Sequence, residues 1–247
     1  FTEPAWVGKV RADPGARFYV GGKIGGTLNA MDYDSSRGFV NKPGLAGSAS
    51  RATLSLQAAF YPSAYGVREL LSYDLPVLWP GEFGELTEQF VNSKPEQRDR
   101  MLDRTGVRYR VLPQRRAGSR TPLIALDQFT ESFLFDWENS VTPRISVVPR
   151  VRVVREAKDQ IAALFEPGWD AGQLALVDRP LSVAGNPGAP VDPYARIVAD
   201  EANRLTAEAG AGSDGGYVLL LDSYSTDWHV TVDRRPATLA RANGVFR

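Results

Sequence analysis

The chain has 247 residues, and its 29 Lys and Arg balance its 29 Asp and Glu, so no net charge favours nucleic acid or an anionic membrane as partner. It has no cysteine, which excludes disulfides, thiolate metal ligands and a Cys nucleophile. No apolar run approaches the roughly 20 residues that span a bilayer.

The first half of the chain predicts alternating strands and helices. Residues 18–20 predict a strand, and residues 49–59 have a helix-compatible pattern. Ser93 as a cap and Pro95 in the first turn predict the start of a helix, which Gly106 ends. A strand over residues 107–112 follows. These elements predict an α/β lobe.

Shorter elements fill the middle of the chain. Strands are predicted at residues 123–126, 132–137, 145–148, 151–154 and 173–177, and a helix is predicted at residues 156–165. The order strand, helix, strand over 151–177 predicts a βαβ crossover. Residues 180–193 are rich in Pro and Gly and predict a linker between two domains.

The last third of the chain predicts an antiparallel sheet. Residues 195–209 have helical propensity but also alternate, and we predict two strands there. Further neighbouring strands are predicted at 217–221, 228–233 and 238–242, with Trp228, Val230 and Val232 buried. The sequence begins at Phe1 rather than Met and stops soon after the hairpin signal Asn243-Gly244, so we expect a piece of a longer protein.

Few residues in the sequence indicate catalysis. His229 is the only histidine, so a Ser-His-Asp triad would have to use it, and the favoured interpretation is an outward-facing imidazole on a strand. The glycine-rich residues 21–27 lack phosphate-loop spacing. Paired carboxylates could serve glycoside chemistry, but nothing fixes their separation. We predict no catalytic residue, metal or cofactor in this chain.

A proline-punctuated loop is the predicted contact site. Residues 73–80 read Tyr-Asp-Leu-Pro-Val-Leu-Trp-Pro, and exposed aromatic rings bind the apolar faces of sugars. The predicted ligand-binding residues are therefore Tyr73, Asp74 and Trp79.

Several motifs together resemble one family. The tail carries Asp222-Ser223-Tyr224, then Trp228, Val-x-Val-Asp and Ala-Asn-Gly-x-Phe-Arg, which ends at Arg247. Upstream, residues 65–76 and 101–112 and Thr142-Pro143-Arg144 occur in matching order. This arrangement resembles the C-terminal region of YfhO-like bacterial membrane proteins and covers roughly residues 60–247. Two places depart from the pattern, because Asp227 and Arg234 stand where the family usually has Gly, and Arg234 removes the residue that a primed turn favours.

The resemblance implies a function that the motifs alone do not. YfhO-like proteins are multispanning and similar to polyprenyl-phosphate-sugar-dependent (GT-C type) glycosyltransferases. The chain would be their soluble domain on the extracytoplasmic face of the bacterial membrane, non-catalytic itself, shaping acceptor-glycan access. Its partners would be the membrane-embedded remainder of the same chain and a glycan acceptor, with no nucleic acid. The alternative is a free-standing cell-surface module that binds carbohydrate or protein.

We therefore expect an α+β fold with an N-terminal α/β lobe followed by an antiparallel β-sandwich-like C-terminal lobe. The α/β lobe is predicted over residues 1–185 and the C-terminal lobe over residues 191–247.

Overall fold

The computed structural model describes residues 5–13, 15–20, 68–71, 81–127, 132–138, 141–182 and 192–247. These residues form a mixed α+β structure, as predicted. The predicted helix at 49–59 and the predicted site residues Tyr73, Asp74 and Trp79 lie outside the described residues. None of the described helices is both long enough and apolar enough to cross a bilayer.

Most of the predicted helices and strands that fall within the described residues are present within one or two residues of their predicted bounds, whereas the helices at 5–11, 81–92 and 114–117 and the short strand at 68–69 were not predicted. The helices are α1 (Ala5–Arg11), α2 (Gly81–Asn92), α3 (Pro95–Arg104), α4 (Gln114–Ala117) and α5 (Ala157–Phe165). The first strands are β1 (Arg17–Val20), β2 (Arg68–Glu69), β3 (Val107–Pro113), β4 (Ile124–Asp127), β5 (Ser132–Asp136), β6 (Ile145–Val148) and β7 (Arg150–Val153). The later strands are β8 (Leu174–Val177), β9 (Tyr194–Glu201), β10 (Arg204–Gly210), β11 (Tyr217–Leu220), β12 (Val230–Val232) and β13 (Arg235–Ala237).

The start of α3 differs from the prediction by one residue. Lys94, not Ser93, is the N-cap, and its backbone N–H donates to the side-chain oxygen of Gln97 at 3.0 Å. The Ser93 hydroxyl instead donates to the carbonyl of Gln89, in the last turn of α2. The serine is thus used to end one helix rather than to begin the next.

The chain divides into two compact units. The first unit comprises Phe1–Leu78 and Val107–Val141, and the second comprises Trp79–Gly106 and Thr142–Arg247. This division differs from the predicted one, which separated residues 1–185 from 191–247. The reason is that β6, which precedes the predicted linker, pairs with β11, which follows it.

The first unit is built on a five-stranded sheet in the order β2-β1-β3-β5-β4. β1 is parallel to β2 and β3, whereas β5 is antiparallel to β3 and β4. Helix α1 packs its apolar side chains against this sheet, and the rings of Trp6 and Phe18 lie 5.3 Å apart. The core of this unit contains Trp6, Val7, Val10, Phe18, Tyr109, Val111 and Leu134.

The second unit contains the predicted βαβ crossover. β7 and β8 pair in parallel, and α5 connects them. Helix α5 buries Ile161, Leu164 and Phe165. The buried turn Asn243-Gly244 contacts this crossover: the Asn243 side chain accepts a hydrogen bond from Leu176 N–H, and Gly244 N–H donates to the side chain of Gln160.

Residues 194–210 form an antiparallel hairpin, so the prediction of two strands is confirmed over helical propensity. The period-2 pattern of the sequence matches the burial of the side chains in this hairpin: Ala195, Ile197 and Ala199 are half-buried, while Tyr194 and Val198 are exposed.

The predicted pairing of the tail strands is wrong. β11 pairs with β6, and among the described strands β12 pairs with β13 alone, in a separate hairpin. Residues 238–242 are not a strand, although Ala240 and Ala242 are buried. The partner of β11 lies about seventy residues upstream in the chain. Alternation of side chains within one strand carries no information about such a distant partner.

The predicted burial of the β12 side chains is also wrong. Val232 is 42% exposed, and Trp228 and Val230 are only half-buried. A two-stranded hairpin has no second layer over both faces, so alternation persists without burial. Its turn residues Asp233 and Arg234 have φ of 50° and 65°, so a primed turn forms although neither is Gly.

Candidate functional site

Arg144 is the buried centre of an ion cluster in the second unit. It directly precedes β6, and its carbonyl accepts a hydrogen bond from Leu221 N–H at 2.8 Å, which continues the β6–β11 ladder. Its side chain is only 4% exposed. The backbone ladder therefore fixes where the guanidinium points.

Two aspartates bind this guanidinium. Asp222 accepts from Nε at 2.9 Å and from Nη2 at 2.6 Å, which is a bidentate pair. Asp200, on β9, accepts from Nη1 at 2.8 Å and from Nη2 at 3.3 Å. Arg144 thus joins β6, β9 and the residue that follows Leu221.

Arg247 is the fourth member of the Arg144 cluster, which we define as Arg144, Asp200, Asp222 and Arg247. Its Nη2 lies 3.8 Å from Asp222 Oδ2, and its side chain is 7% exposed. Two arginines and two aspartates leave the cluster with no net charge. A buried charge is tolerated when it is paired in this way.

The pKa directions of the two arginines reflect their different pairing. Burial by itself lowers the pKa of Arg144, but its hydrogen bonds to Asp222 and Asp200 outweigh burial and raise that pKa overall. Burial also lowers the pKa of Arg247, and the attraction of Asp222 does not offset burial and the repulsion from Arg144. Arg144 is therefore the better compensated charge.

The cluster anchors a polar and aromatic loop, residues 223–229, called the 223–229 loop below. Tyr224 N–H donates to Val245 O at 2.9 Å, which holds the start of the loop. The Ser225 hydroxyl accepts from Asp227 N–H and donates to Asp227 Oδ2, both at 3.2 Å. Trp228 N–H donates to Ser225 O at 3.3 Å, closing a turn.

Trp228 is packed on one side by the cluster. The guanidinium carbon of Arg247 lies 4.0 Å from the centroid of the Trp228 ring, a cation–π contact. Trp228 nevertheless remains half-exposed. The ring is thus held by Arg247 while part of it is open to solvent.

Around this ring the loop offers hydrogen-bonding groups to solvent. Ser223, Thr226, Asp227 and His229 are exposed, and Tyr224 is half-buried. Hydroxyl, carboxylate and imidazole groups beside an aromatic surface are the groups that bind sugar hydroxyls and the apolar face of a sugar ring. The arrangement can therefore recognise a polar ligand at the surface.

The same geometry is poorly suited to acid–base catalysis. Both oxygens of Asp222 already accept from Arg144, and general acid–base catalysis requires a proton acceptor within reach of the substrate. His229 is exposed on the loop, and the hydrogen bonds that describe this loop do not orient its ring. In the described ranges no three His, Cys, Asp or Glu side chains come together to hold a metal ion.

Two other arginines bind structural groups. Arg104 donates to the carbonyls of Ala163, Leu164, Glu166 and Trp169, so it ties α3 to the end of α5. In the first unit, Arg108 forms a bidentate pair with Asp136 at 2.9 Å, which raises the pKa of Arg108. Neither side chain presents a charge to an open surface comparable to the 223–229 loop.

No protein-family model, curated protein or solved structure matches this chain. The candidate site is therefore assigned from its geometry.

The structure brings together residues that the sequence showed only as separate motifs. Thr142-Pro143-Arg144, Asp222-Ser223-Tyr224, Trp228 and Arg247 meet in the Arg144 cluster and the 223–229 loop. Asp200 was not singled out, because it lies in the alternating run of β9 and no motif surrounds it. Tyr73, Asp74 and Trp79 lie outside the described residues.

Proposed function

We propose that this chain is an extracytoplasmic, non-catalytic domain of a YfhO-like, glycosyltransferase-like membrane protein, and that it shapes access of an acceptor glycan. One observation supports this proposal above others. Two segments that carry the resemblance, Thr142-Pro143-Arg144 and the tail from Asp222 to Arg247, meet in one place: Arg144, Asp222 and Arg247 belong to the Arg144 cluster, and Arg247 packs on the Trp228 ring. Such convergence is expected when the motifs serve one local structure.

The cluster would act as a rigid base for recognition. Arg144 holds Asp222 in place. Asp222 and Arg247 in turn hold the two ends of the loop, and Arg247 supports the Trp228 ring. A preorganised surface loses less conformational entropy when it binds a ligand. The 223–229 loop is therefore the part of the described chain that we expect to contact a glycan, together with the loop at residues 73–80 predicted from sequence.

The partner that holds this domain would be the membrane-embedded remainder of the same protein. Catalysis would belong to that remainder, because the carboxylates of the Arg144 cluster are occupied by arginine. Function inferred from a family resemblance requires a direct test of location and of activity.

Location is tested by labelling. The chain has no cysteine, and Ser223 is exposed, so Ser223→Cys introduces a single thiol on the proposed recognition surface. In intact cells that express the complete gene with any cysteines outside this chain replaced, a membrane-impermeant maleimide should label this variant but not its Cys-free parent. Labelling that requires lysis would place the domain in the cytoplasm and overturn the proposal.

Activity is tested on the isolated chain. We expect no turnover when it is incubated with polyprenyl-phosphate-sugar donors and oligosaccharide acceptors. Turnover that disappears in Asp222→Asn or His229→Ala would show that the domain is itself an enzyme, contrary to the proposal.

A further inference from the structure

The sequence contains one Asn-Gly pair, Asn243-Gly244. This dipeptide is chemically labile, because glycine has no side chain to hinder attack of its backbone nitrogen on the preceding asparagine. The Gly244 nitrogen loses its proton and bonds to Cγ of Asn243, while the bond from Cγ to Nδ2 breaks and ammonia leaves. Water then opens the cyclic imide at either carbonyl, which leaves aspartate or isoaspartate in place of the asparagine.

The native turn withholds the nucleophile of this reaction. Gly244 N–H donates to Oε1 of Gln160 at 2.7 Å. Gln160 is itself fully buried on α5, and its Nε2 donates to the Val154 carbonyl at 2.6 Å, so its acceptor oxygen is held in place. The proton that must leave the Gly244 nitrogen is therefore bound to an amide oxygen, which accepts a hydrogen bond but is too weak a base to remove the proton.

The side chain that would be attacked is also held. Oδ1 of Asn243 accepts from Leu176 N–H at 2.9 Å, and Asn243 N–H donates to Leu176 O at 2.8 Å. These two bonds join both the side chain and the backbone of Asn243 to β8, so a rotation of the side chain during ring closure would break its bond to Leu176. Asn243 is fully buried, which also keeps away the water that takes up the proton and opens the imide.

Neither product of the reaction fits the space that the asparagine occupies. Among the described residues, Nδ2 of Asn243 is buried without a hydrogen-bond partner. In the aspartate product a carboxylate oxygen would stand there, and burying a charge without a partner is costly. In the isoaspartate product the main chain gains a carbon atom, in a turn where even a Cβ on Gly244 would overlap Ile161 Cγ1. Both products therefore oppose closure of the turn.

We propose that Asn243 is a site of spontaneous deamidation that the native fold keeps closed. Opening of the turn releases the side chain from Leu176 and the Gly244 nitrogen from Gln160, and the reaction then proceeds without an enzyme. Because the products oppose closure, a chain modified while open does not return to the native state. The site thus converts a reversible opening of the second unit into an irreversible loss, as chemical modification of an unfolded chain does in general.

Mass spectrometry of the tryptic peptide of residues 242–247 measures the modification, through the mass gained when NH₂ is replaced by OH. The reference is the synthetic acetylated peptide Ala-Asn-Gly-Val-Phe-Arg, in which nothing holds the turn closed. At mildly alkaline pH we expect the folded chain to be modified at least about tenfold more slowly than this peptide, and the chain in guanidinium chloride to be modified at the peptide's rate. Less slowing in the folded chain would overturn the proposal.

Refolding after prolonged unfolding tests the consequence. Chains held in guanidinium chloride for increasing times are returned to buffer, and native chains are separated from the others by size-exclusion chromatography. We expect the yield of native chain to fall at the rate of deamidation, and the native fraction to contain unmodified Asn243 alone. Native chains that carry the modification and melt like unmodified ones would overturn the proposal.

A variant isolates the contribution of Gln160. Gln160→Met keeps the length of the side chain and removes the acceptor for Gly244 N–H, so it should raise the deamidation rate of the folded chain severalfold. Gln97→Met, the same change at the start of α3, should leave that rate unchanged. A rise that the unfolded fraction of the Gln160 variant fully explains would contradict the role of Gln160. If that variant does not fold, the comparison with the peptide decides the proposal.

Discussion

Arg144 shows how one side chain can organise distant parts of a chain. Its guanidinium donates hydrogen bonds to the carboxylates of Asp200 and Asp222, which lie 56 and 78 positions further along the chain. Arginine suits this place because its planar fork binds two oxygens of one carboxylate at once, which a lysine ammonium does not.

We expect Arg144→Met to lower the free energy of unfolding by about 3 kcal/mol. The change removes the hydrogen-bonded partner of both carboxylates and leaves Asp222, whose side chain is 16% exposed, facing the more distant Arg247. The effect lies near the low end of the range for such pairs since Asp200 is 32% exposed. Urea denaturation measures it. The matched control is Arg196→Met, whose exposed pair with Glu208 should contribute little that is measurable. Equal effects of the two changes would mean that the cluster is not a structural centre.

Residue types and motifs were predictable from sequence, but their environments were not. Trp228 was predicted to be buried because it alternates with Val230 and Val232. The alternation is present, yet the hairpin of β12 and β13 has no covering layer, and Arg247 covers only part of the ring. Burial depends on what packs opposite a face, and a single strand carries no information about that.

At the level of elements, the Asn243-Gly244 turn is more than a surface hairpin. Asn243 and Gly244 have φ of 50° and 88°, and Asn243 is fully buried. A Cβ on Gly244 would overlap Ile161 Cγ1, because the turn packs directly on α5. Glycine is thus required twice at this position, for its conformation and for its size.

Gly244→Ala should destabilise the second unit more than Gly168→Ala does. Both positions have positive φ, 88° and 81°, so both changes carry the left-handed penalty of about 1–2 kcal/mol. Only Gly244 adds a clash with the core, for which overpacking costs about 1–3 kcal/mol more. Thermal unfolding compares the two variants, and similar melting temperatures would argue that the turn is not packed on α5.

The turn between β12 and β13 leads to the opposite expectation. Arg234 is exposed and has φ of 65°, so Arg234→Gly should relieve strain and raise stability by up to about 1 kcal/mol. Arg235→Gly, at the next position and within β13, should instead lower stability, since glycine weakens a strand. Chemical denaturation of both variants distinguishes them. A loss of stability in Arg234→Gly would contradict the primed turn.

Most element positions could be predicted because each depends on a few neighbouring residues. The helices over 95–104 and 157–165 and the strands over 145–148 and 174–177 follow from caps, glycines and alternation. The pairing of strands could not be predicted in this way, because β6 and β11 come from opposite sides of the predicted linker and are brought together only by folding. The candidate site was missed for the same reason, since its members are adjacent only through that pairing.

At the scale of the whole molecule, the two units have different architectures. The first is organised around a mixed five-stranded sheet, and the second combines a parallel βαβ crossover with antiparallel pairs. The motifs that resemble the YfhO-like family at residues 142–144 and 222–247 all belong to the second unit. The proposed recognition surface of the described chain, the 223–229 loop, lies in that unit.

An NMR titration of the ¹⁵N-labelled chain with oligosaccharides tests this assignment most directly. An open surface that encloses little of the ligand should bind with millimolar dissociation constants, about 4 kcal/mol. Trp228→Leu should abolish the shifts by removing the ring, whereas Tyr194→Leu, at an exposed aromatic on β9, should preserve them. Trp79→Ala reports on the loop at residues 73–80.

The account predicts shifts concentrated at residues 223–229 that vanish in the Trp228 variant. Shifts that cluster elsewhere and survive Trp228→Leu, or no shifts at millimolar glycan, would contradict it.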